Sequence, residues 1–238
     1  MENAGYTSLT RQSGLLREMQ LVANNIANIS TTGFRKEGLL FSEHIYALEN
    51  GDPSLSMASA NVRITDQSQG PLAQTRNQFD FAIEGPGYFL LATPSGNQLT
   101  RAGSFTPNQA GELVSDDGFQ LLDTGGAPMF IPPGATNVSV AGDGTVSLGG
   151  RPVAQIGVYV PVDGAGLSRQ GGVRFSALGD VEPTEDSVIL QGFLEKSNVN
   201  AVSEIARMIE VQRAYELGQN LLEKEDERIR SVLQTLGR

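Results

Sequence analysis

The sequence predicts an α+β protein, an antiparallel β-rich central domain flanked by an N-terminal and a C-terminal helix. Three observations predict it. Apolar residues recur at helical period at the two ends of the 238-residue chain. Between them, short alternating runs are punctuated by turn residues, where most of the 28 glycines fall. The charge divides the same way: residues 1–36 carry four bases and two acids, residues 37–200 seven bases and eighteen acids, and residues 201–238 six bases and seven acids. The acidity belongs to the middle, and the ends are nearly neutral, as expected of ends that pack and a middle that stays solvated.

The first helix is predicted over about residues 4–31. Leu15, Val22 and Ile29 recur every seven residues, with Leu9, Leu16, Met19, Ala23 and Ile26 beside them, a broad apolar stripe. Gly33 is expected as the helix stop, since glycine takes the left-handed C-terminal cap most readily. Within this stripe stands "ANNIANISTTGF", Ala23–Phe34. Asparagine is a poor helix-interior residue because its amide competes for backbone hydrogen bonds. Asn24, Asn25 and Asn28 therefore call for a role outside the local helix. Asn24 and Asn28 lie one turn apart on one face, where buried amides at a helix seam would fix register at some cost in stability. An exposed polar face is the plainer alternative.

Residues 37–70 are the least regular, and "LENGDPSLSMASAN" reads as a linker. Residues 71–192 read as the β-domain. Phe79, Phe81 and Ile83 alternate before the turn Gly85-Pro86-Gly87, and a second apolar run follows. Asp116-Asp117-Gly118 and Asp143-Gly144 mark hairpins, and "DSVILQGFLE" is a last strand.

Residues 193–238 hold the second helix. Ala201, Met208, Tyr215, Leu222, Ile229 and Leu236 form a heptad series, widened by Ile205, Ile209 and Leu233. Asn200 is the expected N-cap, and Glu204 suits the positive end of the helix dipole. Glu223–Glu227 and Arg230 are placed for ion pairs on the polar face. Gly218 costs about 1 kcal/mol relative to alanine and marks a close helix contact.

Several function classes are excluded or weakened. A net charge of -10 argues against nucleic acid as a partner. No apolar run is long enough to span a bilayer, so no lipid insertion is expected. The start "MENAGYTSLTRQSGLL" lacks the basic and apolar regions of a cleaved secretory signal. With no cysteine there is no disulfide framework or thiolate metal site. The single histidine, His44, has no second histidine or cysteine to complete a zinc site or nucleophilic pair, and reads as structural. No phosphate-binding glycine motif or nucleophile elbow occurs. "GDGTVS" and "SDDGF" lack the remaining ligands of a calcium loop. No catalytic residue, cofactor or metal is therefore expected. A carbohydrate-active enzyme or a secreted binding module built on the β-domain is the rival, but neither needs two terminal heptad helices.

Three blocks, in order, carry a resemblance. "ANNIANISTTGF" resembles the rod signature of the bacterial flagellar rod/hook axial family. "FAIEGPGYFLL", "TRAGSFTPNQAGELVSDDGFQLL" and "IPPG" match that family's middle, and "LEKSNVNAVSEIARMIEVQRAYE" its C-terminal block. The short 37–70 segment is more like the proximal-rod members than the distal-rod members. The resemblance implies that the terminal helices form a coiled coil on assembly, at the inner wall of a tubular polymer. It implies copies of the chain, other rod proteins and the flagellar type III export apparatus as partners, and a basal-body location spanning the periplasm after export. The expected subunit-packing seam is Leu15, Val22, Asn24, Ile26, Asn28 and Ile29 with Met208, Tyr215, Leu222 and Ile229. The asparagines would set packing specificity or line the central channel.

Overall fold

In the computed structural model, which describes residues 2–46, 55–135, 137–162 and 166–236, the chain divides into two units. The first holds residues 1–27, 36–66 and 200–238, and the second holds 28–35 and 67–199.

The first unit is built from two helices and a hairpin. Helix α1 spans Glu2–Ala27 and helix α2 spans Ala201–Leu236. Asn200 caps α2 as expected: its Oδ1 accepts the Ser203 N–H at 3.0 Å, three positions on. Helix α1 ends four residues earlier than the apolar stripe predicts. Asn28 and Thr31 close a turn instead, with Thr31 donating to the Asn28 carbonyl through its N–H at 3.2 Å and to Asn28 Oδ1 through its hydroxyl at 3.1 Å. These are the residue types whose side chains compete with the helical backbone.

Residues 37–70, expected as an irregular linker, are mostly strand. Strand β1, Glu37–Tyr46, pairs antiparallel with β2, Leu55–Thr65, with a bulge at Leu40/Phe41. The alternation is hidden in the sequence because serine, alanine and glutamate fill many of the positions that would otherwise read as apolar. His44 falls in β1, opposite Met57. Residues 48–54 of "LENGDPSLSMASAN" lie outside the described residues.

The second unit is the antiparallel β-domain. Its nine-stranded sheet centres on strand 88–93, which pairs with strands 96–100, 120–121 and 158–161. Successive side chains of that strand point to opposite faces. Phe89 and Leu91 enter one apolar cluster with Phe81, Phe105, Leu113 and Ile156, and Tyr88 and Leu90 enter another with Leu99, Tyr159 and Phe175. The sheet is thus sealed on both sides. Phe89 meets Phe105 edge-on at 5.5 Å between centroids.

Both expected hairpins form. Val114 pairs with Gln120 around Asp116–Gly118, and strand 138–140 pairs with 145–148 around Asp143–Gly144. The predicted single last strand is two: 188–191 pairs with 81–84, and 193–195 pairs with 72–74, broken at Gly192.

Candidate functional site

In the first unit, α1 and α2 run antiparallel. Asn25 Nδ2 donates to Glu204 Oε2 at 3.0 Å, Arg207 Nε to Glu18 Oε1 at 2.6 Å, and Gln12 Nε2 to the Tyr215 carbonyl at 3.2 Å. The predicted series Met208, Tyr215 and Leu222 is half-buried along this contact. A second series completes the seam: Glu204, Val211, Gly218 and Glu225, each three residues after or four before a member of the first. Val211 and Glu204 are buried. The sequence reading missed this series because two of its members are glutamates and one is glycine. Gly218 does mark a close contact, since a Cβ there would lie 2.6 Å from Gln12 Nε2.

Within the chain, the asparagine question has an answer at Asn25. Asn25 is buried, and its amide pairs with the backbone of Glu37 as a neighbouring strand residue would. Nδ2 donates to the Glu37 carbonyl at 2.8 Å, and Oδ1 accepts the Glu37 N–H at 3.0 Å. The same Nδ2 reaches Glu204, which is also salt-bridged to Lys36 Nζ at 2.6 Å. One amide thus ties α1, β1 and α2 together within the chain, and satisfies buried groups that would cost about 1–3 kcal/mol each if left bare. Asn24 is exposed and Asn28 half-buried.

The other predicted seam residues divide. Leu15 and Val22 are buried, Ile26 and Ile29 half-buried, and Ile229 is exposed. A second, outward stripe of α2 is uncovered: Val202, Ile205 and Ile209, at i, i+3 and i+7, with Val202 77% exposed. Leu9 and Leu16 are exposed on α1.

Gly33 is not the helix stop. It lies six residues beyond Ala27, in the second unit, with φ +67°. A Cβ there would meet the Ala102 N at 2.3 Å and the Arg101 carbonyl carbon at 2.4 Å, so only glycine lets the two backbones approach. Its N–H donates to the Glu195 carbonyl at 2.8 Å.

That contact opens onto a buried ionic junction, which the sequence reading did not find. Glu195 Oε1 sits 2.7 Å from Arg35 Nη1 and Oε2 3.1 Å from Arg101 Nη1, with Arg35 and Glu195 each 1% exposed. The Gly70 N–H adds a third donor at 2.8 Å. Arg35 also donates to the Ser68 carbonyl, and Arg101 to the carbonyls of Ile83 at 3.1 Å and Gly85 at 2.6 Å. Arg101 stacks over Tyr88 at 5.3 Å. Burial pulls the Arg101 guanidinium below its ordinary range, against the opposing pull of Glu195. Burial likewise pushes the Tyr88 phenol up, against the two arginines. Phe34, next to the junction, is covered by the Arg169 guanidinium at 4.5 Å. Through Glu195 the junction fastens Arg35, in the segment after α1, to Gly70, Arg101 and a strand residue 160 positions further along the chain.

Three family models match, and together they span most of the chain. A flagella basal body rod protein model matches residues 6–35. A flagellar hook protein FlgE/F/G D1 domain model matches 82–148, and a flagellar basal body rod FlgEFG protein C-terminal model matches 190–235. The chain is 37% identical to the flagellar basal-body rod protein FlgF of Caulobacter vibrioides, over 100% of this chain and 99% of that one. It is 36% identical to FlgF of Mesorhizobium japonicum over the same shares.

The chain belongs to the flagellar basal-body rod protein family.

Within that family, a flagellar basal-body rod protein FlgG of Buchnera aphidicola is 32% identical over 91% of this chain and 93% of its own length. The end-to-end match to FlgF relatives makes this rod-family chain FlgF-like. The first model covers the asparagine run and Phe34, and the C-terminal model covers Glu195, Glu204 and most of α2. No helix is long and apolar enough to cross a membrane, among the described residues.

Proposed function

We propose that this chain is a structural subunit of the bacterial flagellar basal-body rod, of the proximal kind, and works mechanically rather than catalytically. The observation that carries the reading is the match, over the whole chain, to relatives named as basal-body rod proteins. The uncovered apolar stripes on α1 and α2 support it. Burying one Leu or Ile stabilises by about 1.5–3 kcal/mol, so stripes of this size favour association. Copies join through heterologous contacts that do not close, giving a helical polymer that transmits torque. The terminal helices complete a coiled coil with neighbouring copies and other rod proteins, and the acidic β-domain faces outward. Subunits leave the cytosol through the flagellar type III export apparatus and act in the basal body across the periplasm.

The test is Leu222→Asp in cells whose only copy carries it. A buried carboxylate in the helix seam should abolish rod assembly and swimming, while the purified chain keeps its β-domain fold. Normal flagella with Leu222→Asp would overturn the seam. Normal flagella in cells lacking the chain altogether would overturn the function.

A further inference from the structure

The ionic junction of the β-domain carries more positive than negative charge. Arg35, Arg101 and Glu195 are 1%, 4% and 1% exposed, and all three belong to the second unit. Two guanidiniums thus share one carboxylate almost wholly out of reach of water. Tyr88 beside them supplies no counter-charge, because burial pushes its phenol up and keeps it protonated at neutral pH. An uncompensated charge buried in this way is costly.

The hydrogen bonds are unbalanced in the same sense. Both oxygens of Glu195 are engaged: Oε1 by Arg35 Nη1 and the Gly70 N–H, Oε2 by Arg101 Nη1. Arg35 donates through Nη1, to Glu195 and to the Ser68 carbonyl. Its Nε and Nη2 are buried and have no hydrogen-bond partner among the described residues, and neither has Arg101 Nε. Nε–H and the nearer Nη2–H lie on one edge of the planar guanidinium and point the same way. That edge is the side-on fork that grips an anion with two N–H bonds at once. Buried donors are nearly always paired, so a bare fork in the interior points to a ligand.

We infer that the side-on fork of Arg35 holds a small monovalent anion of the chloride class inside the β-domain. One negative charge balances the two arginines against Glu195. A water molecule would satisfy the fork but leave the charge. Burial selects against large or polyvalent anions, since Arg35 and its neighbour Phe34 are each 1% exposed. Arg101, on the other oxygen of Glu195, adds its field to the site without having to touch the ion. The inference goes beyond the rod-subunit reading and does not depend on it. The ion stands where the chain enters and leaves the second unit. There the Gly33 N–H donates to the Glu195 carbonyl at 2.8 Å, and the Asn198 N–H to the Phe34 carbonyl at 3.3 Å. Its occupancy sets how firmly these two segments are fastened to each other.

The test uses the purified full chain. Urea unfolding is followed by β-sheet circular dichroism at fixed ionic strength, with sodium chloride exchanged stepwise for sodium gluconate, whose anion is too large for the site. At chloride concentrations well above its Kd, the unfolding constant should fall about tenfold for each tenfold rise in chloride. Crystals grown with sodium bromide in place of chloride should show an anomalous peak at hydrogen-bonding distance from Arg35 Nε and Nη2. Arg35→Lys keeps the charge and removes the fork, and should cancel the chloride dependence. Equal stability in chloride and gluconate would overturn the inference. So would bromide crystals with water at the fork, or with bromide elsewhere as an adventitious ion only. A chloride dependence that survives in Arg35→Lys would overturn it as well, by placing the effect at another site. Where Arg35→Lys does not fold, the bromide peak in the unaltered chain decides alone.

Discussion

The two units of this chain treat apolar surface in opposite ways. In the β-domain, strand 88–93 buries side chains on both faces, and Phe81, Phe89, Phe105, Leu113 and Phe175 are wholly inaccessible. In the helical unit, Leu9, Leu16, Val202, Ile205, Ile209, Leu217, Leu221, Ile229 and Val232 remain exposed. The contrast separates folding from assembly. The β-domain buries most of its large apolar side chains and leaves Phe130, Val153, Leu178 and Val188 exposed, whereas the two helices leave exposed a large share of theirs.

The polar groups follow the same division. In the β-domain, Glu195 gathers two arginines and a backbone N–H in a site closed to water. In the helical unit, Asn25, Glu204 and Lys36 fasten one end of the helix pair, and Lys36 stays partly exposed. The pair is pinned at that end.

The largest effect should come from Glu195→Ala. It strands Arg35 and Arg101 as buried, unpaired cations, and should destabilise the β-domain by about 3–5 kcal/mol. Urea unfolding followed by β-sheet circular dichroism should show the loss, and an unchanged midpoint would mean the junction is dispensable. Asn25→Ala comes next. Leaving the Glu37 backbone groups without the side-chain amide should cost about 1–3 kcal/mol, felt in the helical unit. A thermal melt at a helix wavelength should shift, while exchange of the β-domain core amides stays put. Equal loosening of both units would erase the distinction drawn between them. Asn200→Ala should cost about 1 kcal/mol through the lost N-cap bond. Its reach should be confined to faster amide exchange in the first turn of α2.

Much of this contrast could be read from the sequence, because it is written in period. The helix seams repeat every seven residues, and the hairpins at Asp116–Gly118 and Asp143–Gly144 carry their own turn chemistry. Asn200 announces the start of α2 locally. What was hidden depends on partners far along the chain. Glu204 reads only as a residue suited to the helix dipole until Asn25 and Lys36 arrive from the other end. Val211 belongs to a seam whose neighbouring positions include two glutamates, and of that series only Gly218 announced a close contact. Arg35, Arg101 and Glu195 share no local pattern, so nothing in their neighbourhoods marks them as one junction. Gly33 follows an apolar stripe as a helix cap would, yet its reason is the backbone of Arg101–Ala102. The β1–β2 hairpin was missed because its alternation is carried by small and polar residues.

The most direct test of the account is amide hydrogen exchange on the full chain, first as purified monomer and then in isolated basal bodies. The account predicts that strands 81–84, 88–93 and 96–100 exchange slowly in both states. Residues 201–236 should exchange faster than those strands in the monomer, fastest towards the C-terminal end, and become protected on assembly. Protection of α2 in the monomer equal to that of the β-strands, and unchanged in basal bodies, would contradict it.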